Sequence, residues 1–135
     1  MGGIMNPEVI ELLPYAKRLF YPQIAPQTIL EIAPDGTQVK DVLADNGRTY
    51  YEIPSPYDES FMGYADVIAC FNIAEQDWDV YVERIKQSMF PMSILIATLP
   101  AHIDIRKYFQ TFSLFMTFLS DGTAFTAVVI GKDDV

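Results

Sequence analysis

Cysteine and histidine are nearly absent: Cys70 and His102 stand alone in a chain of 135 residues. One cysteine closes no intramolecular disulfide, so a reducing compartment, the cytoplasm, is expected. One histidine and one cysteine build none of the usual structural zinc sites. Any Ser-His-Asp or Cys-His arrangement would need His102. The seven glycines sit at 2, 3, 36, 47, 63, 122 and 131 and form no Gly-rich phosphate loop. HExxH, CxxC and EF-hand patterns are missing too. No apolar run approaches the roughly 20 residues of a membrane span. The segment "MGGIMNPEVIELLPYAKRLF" does not read as a signal peptide, because Glu8 and Glu11 fall where the apolar stretch belongs.

Bases are scarce as well. Nine Lys and Arg face eighteen Asp and Glu, giving a net charge of −9. That field repels nucleic-acid phosphates and anionic lipid, so neither nucleic acid nor membrane is an expected partner. The acids form no tail: residues 1–60 carry nine and residues 61–135 carry nine.

What remains is a globular composition, 50% apolar and 20% charged, expected to fold as a single domain over 1–135. "NPEVIELLPYAKRLF" opens a helix with Asn6 as cap and Pro7 in the first turn. Pro14 predicts a kink or a break, since its ring clashes with the carbonyl of Ile10. Asp35-Gly36 and Asn46-Gly47 are hairpin dipeptides between strand-like runs, and predict a three-strand meander over 28–53. "ADVIACFNI" and "SILIATL" are apolar on both parities, as strands covered on both faces are. Between them Trp78, Tyr81, Val82, Ile85 and Met89 recur at helical spacing, with Asn72 and Glu75 as a capping box. This is a parallel βαβ unit.

In "YFQTFSLFMTFLSDGTAFTAVVIG" a short helix after Asp104 runs into a hairpin turning at Asp121-Gly122. The predicted register pairs Ser120 with Thr123, Phe118 with Phe125 and Leu114 with Val129. The expected class is α+β: N-terminal helix, meander, βαβ unit, short helix and C-terminal hairpin in one mixed sheet.

No catalytic residue, cofactor or metal ligand is assigned. Cys70 reads as a small buried hydrophobe. Glu75, Asp79 and Glu83 form an acidic helix face that is mainly solvated and secondarily a docking surface for a basic protein. Tyr57, Phe61 and Tyr64 stand on a Pro-bearing loop, the best candidate for a binding surface. Phe115, Val128 and Ile130 lie on the second hairpin face, available for self-association unless the first helix covers it. The resulting reading is a small acidic non-enzymatic interaction protein: a regulator, inhibitor, adaptor or assembly subunit that binds another protein or its own copy. The alternative is a small-molecule-binding domain or small enzyme with a pocket lined by tyrosines and acids.

Overall fold

The computed structural model describes residues 7–37, 39–44, 47–100, 102–109, 112–120 and 123–130, the last two stretches by their backbone alone. The elements are α1 (Pro7–Ile24), β1 (Thr28–Ile32), α2 (Lys40–Leu43), β2 (Thr49–Ile53), β3 (Ala65–Cys70), α3 (Trp78–Gln87), β4 (Met89–Pro100), β5 (Phe112–Ser120) and β6 (Thr123–Ile130). Single 3-10 turns occupy Glu75–Asp77 and Ile105–Lys107. The six strands form one sheet in the order β2-β1-β3-β4-β6-β5. β2, β1, β3 and β4 run parallel, and β6 is antiparallel to both β4 and β5.

The expected α+β class is therefore corrected to α/β. The meander is where the expectation fails: β1 and β2 are parallel neighbours, Thr28 opposite Thr49 and Ile32 opposite Ile53. A parallel pair needs a crossover, and the segment read as a middle strand supplies it as α2. Val39, Val42 and Leu43 have the i, i+3, i+4 spacing of a helical face, and Val39 and Leu43 are buried. Gly47, at φ +78°, follows a helix here instead of turning a hairpin. A glycine of positive φ ends helices as readily as it turns hairpins, so the Asn-Gly signal was ambiguous.

β1, β3 and β4 bury both faces, which explains their apolar runs, whereas the edge strand β2 is largely exposed. Ile29, Val67, Ala69, Ile94 and Ile96 pack under Leu13, Ala16 and Phe20 of α1 and Leu43 of α2. The alternate residues Leu30, Ile32, Ile68, Cys70, Leu95 and Ala97 pack under Trp78, Tyr81, Val82 and Ile85 of α3, with Phe109. The helical stripe read in the sequence is buried as expected, Met89 included.

Pro14 neither breaks nor splits α1, which runs through both Pro14 and Pro22. Pro14 lies on the exposed side, and burial of Leu13, Ala16 and Phe20 outweighs a local penalty of about 3 kcal/mol. The helix stops at Ala25, which takes φ +47° and donates its N–H to the Tyr21 carbonyl at 2.7 Å. The expected cap Asn6 lies outside the described residues. The expected capping box does not form either: Ala74 precedes the 3-10 turn, and Asn72 sits at φ +59°.

The C-terminal hairpin has Ser120 opposite Thr123, Phe118 opposite Phe125, Thr117 opposite Thr126 and Leu114 opposite Val129. Its register is the one read from the alternation of apolar residues. No helix among the described residues is long and apolar enough to cross a membrane.

Candidate small-molecule site

Chain direction locates the site. From β1 the chain passes to β2 on one side, then crosses to β3 on the other, while α2 and α3 cover opposite faces. Diverging connections open a crevice above the carboxyl ends of β1 and β3, where open α/β sheets receive their ligands. Its rim is the turn after β1 (Ala33–Thr37), the end of β2 (Glu52, Ile53, Pro54) and the segment after β3 (Phe71–Ala74).

The first turn is tight. Gly36 donates its N–H to the Ala33 carbonyl at 3.1 Å, and Ala33 donates to Ile53 at 2.8 Å, extending the β1–β2 ladder. Gly36 takes φ +86°, and a Cβ there would meet nothing within 4 Å. The turn thus offers bare backbone towards the crevice. Asn72 donates its N–H to Thr98 Oγ1 at 2.7 Å, tying the segment after β3 to β4.

One acid in this region is buried. Glu31, 3% exposed, faces the α1 side among apolar neighbours. Tyr50 on β2 donates its hydroxyl to Glu31 Oε1, and Thr37 Oγ1 lies 3.0 Å from the same phenol oxygen. Burial lifts the Glu31 carboxyl to about 7; the Thr37 hydrogen bond opposes this and the nearby Glu52 charge adds to it. Glu52 stands opposite Glu31 in the register but is exposed near the end of β2. The sequence analysis missed Glu31 and Glu52, although an acid inside the apolar run "TILEIA" was a legible signal.

Cys70 is fully buried at the end of β3, and its thiol is pushed up first by burial and then by Glu31. Native protein should accordingly react slowly with a thiol reagent at neutral pH and quickly once denatured; rapid native labelling would contradict this burial. His102 does not approach Cys70 in a catalytic pair; its Nε2 lies 2.9 Å from Glu75 Oε1 on the surface.

The candidate binding residues are dispersed. Phe61 is buried against Tyr51, with ring centroids 4.7 Å apart, whereas Tyr57 and Tyr64 are 74% and 58% exposed. Tyr64 lies 5.0 Å from the Phe90 ring. Glu75, Asp79 and Glu83 are exposed, Glu75 facing His102 and Asp79 accepting a hydrogen bond from Tyr108. Phe115 stands opposite Val128 and Ile130 opposite Phe112 in the backbone register, and their side chains lie outside the described part. The loop carrying Tyr57 and Phe61 is held by a residue the sequence analysis passed over. Arg84 of α3, 7% exposed, donates to the carbonyls of Asp58 (2.7 Å), Pro56 (3.4 Å) and Phe61.

A doubly wound sheet with its crevice at the switch point is the general architecture of nucleotide-binding α/β domains. Solved structures narrow this. The chain is similar to phosphoethanolamine N-methyltransferase 2 of Haemonchus contortus, solved with phosphomonomethylethanolamine and S-adenosylhomocysteine. That likeness has a TM-score of 0.68 at 12% identity and covers 96% of this chain but 39% of the enzyme. A putative methyltransferase of Escherichia coli matches with a TM-score of 0.67 at 6% identity, over 95% of this chain and 89% of that one. The 16S rRNA N2 G1207 methyltransferase of T. thermophilus, solved with AdoMet and guanosine, matches at 0.59 and 12% identity, over 96% and 44%. No family model matches the sequence, and no curated protein does. The fold is thus the Rossmann-like fold of S-adenosylmethionine-dependent methyltransferases. This likeness overturns the main functional expectation, a non-enzymatic regulator, inhibitor, adaptor or assembly subunit, and favours the small-molecule alternative.

Proposed function

We propose that this chain is a small-molecule-binding domain of the methyltransferase type, whose crevice takes the nucleoside end of S-adenosylmethionine or S-adenosylhomocysteine. The observation that carries the reading is the exposed carboxylate of Glu52 at the end of β2, beside the Ala33–Gly36 turn at the switch point. In dinucleotide-binding sheets an acid about 20 residues beyond the turn glycines accepts hydrogen bonds from the ribose. Glu52 occupies that kind of position. The residues fit a nucleoside: a carboxylate for the diol, and small residues, Ala33 and Gly36, where a ring must approach backbone. They do not fit a pyrophosphate, since the turn holds one glycine and α2 has only four residues. S-adenosylmethionine carries no phosphate, which agrees with both observations.

When bound, the donor supplies a methyl group on a sulfonium, so the protein's work is binding and positioning. Glu52 holds the ribose and the Ala33–Gly36 backbone seats the nucleoside. Glu31 stays turned inward to Tyr50 and Thr37, outside the ligand's reach. Methyl acceptance by a small molecule accords better with a net charge of −9 than acceptance by nucleic acid. A single cysteine, which closes no intramolecular disulfide, accords with the cytoplasm as the place of action.

Calorimetric titration with S-adenosylhomocysteine tests this reading. Saturable binding by the wild type, weakened at least tenfold in Glu52→Ala, is the expected result. No binding at millimolar ligand, or an affinity indifferent to Glu52, would remove it.

A further inference from the structure

Across β1 from Glu52, the crevice is walled by the segment after β3 and the first turns of α3. Ile32 and Cys70, paired at the carboxyl ends of β1 and β3, share their core cluster with Tyr81 of α3. Tyr81 is therefore held beneath the point where the two strands release their connections. Asp77, the residue before α3, stands one helical turn ahead of Tyr81 on the same side. Asp35 belongs to the turn after β1, which flanks that point from the other strand.

Tyr81 is 6% exposed, yet its hydroxyl hydrogen-bonds to none of the described residues. A buried phenol ordinarily finds a partner. Among those residues Trp78 Nε1 is the one enclosed side-chain polar atom without a partner, so the equally unpartnered Tyr81 oxygen opens to solvent. It opens among acids. Burial first, and then the acidic neighbours Cys70, Asp77 and Asp35, push the phenol up to about 12, so it remains an intact hydroxyl at neutral pH. Asp35 and Asp77 are exposed, and neither 33–39 nor 71–83 contains a lysine or arginine.

We propose that Asp35, Asp77 and Tyr81 form a subsite for an ammonium group, an inference that rests on the nucleoside reading of the crevice. An ammonium donates three hydrogen bonds and accepts none, and the subsite offers two carboxylates and a phenol oxygen as acceptors. An anionic group would meet like charge there. The phenol is fixed by its packing, which reduces the ordering cost of binding. The ammonium has two sources. β2 and β3 flank β1, so about 10 Å separates Glu52 from this wall, a gap that the homocysteine arm of the donor bridges from ribose to α-ammonium. The other source is a separate amine that accepts the methyl group.

Calorimetric titrations compare S-adenosylhomocysteine, methylthioadenosine, which lacks the amino-acid arm, and ethylammonium. Tyr81→Phe removes only an unpartnered oxygen, and Asp35→Asn and Asp77→Asn alter exposed side chains, so all three variants are expected to fold. If the donor supplies the ammonium, each variant binds S-adenosylhomocysteine at least fivefold more weakly and methylthioadenosine within twofold of the wild type. If an amine substrate supplies it, the fivefold loss appears instead for ethylammonium added to protein saturated with methylthioadenosine. Asp41→Asn makes an equal change of charge on exposed α2, and should leave every affinity within twofold. Variants that bind both ammonium ligands as the wild type does, or an equal loss in Asp41→Asn, would overturn the subsite. Failure of methylthioadenosine to bind the wild type removes the nucleoside reading instead, and ethylammonium titrated on the free protein then decides the subsite alone.

Discussion

Replacing Arg84 with alanine is expected to lower stability by about 3–5 kcal/mol, a drop in melting temperature on the order of 10 °C or more. The guanidinium is buried and its compensation comes chiefly from three loop carbonyls, those of Pro56, Asp58 and Phe61, with Ser88 Oγ 3.3 Å from Nε. Truncation leaves those acceptors without their charged donor, and hydrogen bonds to a charged group are worth about 1.5–3 kcal/mol each. It also releases the loop that seats Phe61 against Tyr51. Arg84→Lys should recover only part of the loss, because an ammonium cannot reproduce the planar fork that reaches separate carbonyls. Urea midpoints measure both variants. A loss under about 1 kcal/mol for Arg84→Ala would mean that the loop is held by its own packing.

The second large effect is a dependence of stability on pH. The Glu31 carboxyl rises from 4.5 to about 7 on folding, chiefly through burial. The folded protein therefore keeps the proton over a range in which the unfolded chain has lost it. Stability from this group is fully present below pH 4.5 and falls as pH rises through about 7, then stays level. The total change is on the order of 3 kcal/mol. Glu31→Gln should flatten the profile between pH 5 and 8 and stabilise the protein at pH 8, since glutamine accepts the Tyr50 hydroxyl without ionising. Thermal melts of both proteins across that range give the comparison. Parallel profiles would show that Glu31 does not titrate as its burial requires.

Much of the right half of the sheet was legible in the sequence because its signals are local and unshared. The alternation around Asp121-Gly122 admits one register, since a slip by one residue moves every apolar side chain to the other face. The stripe from Trp78 to Met89 has one helical solution. The left half misled because its signals serve two structures. Asn46-Gly47 ends a helix or turns a hairpin, and the four residues of α2 are too short for periodicity to decide. Parallel pairing of β1 with β2 leaves no local mark, because the partners meet only through the crossover. The crevice was invisible for the same reason: a switch point belongs to strand order, and the ligand-facing glycine cluster that betrays many such sheets is reduced here to Gly36. Glu31 was legible in principle as a charge in a strand that buries both sides, whereas Arg84 stands on an amphipathic helix with exposed acids, and one sequence does not say which of its charges are inside.

The position of α1 bears on how the chain is made. It is synthesised before the strands that cover it, and Leu13, Ala16 and Phe20 pack on a floor that includes Val67 and Ile94. Synthesis at about 5–20 residues per second leaves that stripe without its full partner for several seconds. An isolated helix of this length is marginal in water, and the two internal prolines weaken it further. The stripe therefore spends the interval as dispersed apolar residues on a fluctuating segment, not as a preformed sticky face. The two internal prolines thus make α1 depend on the surface of the finished sheet for its stability.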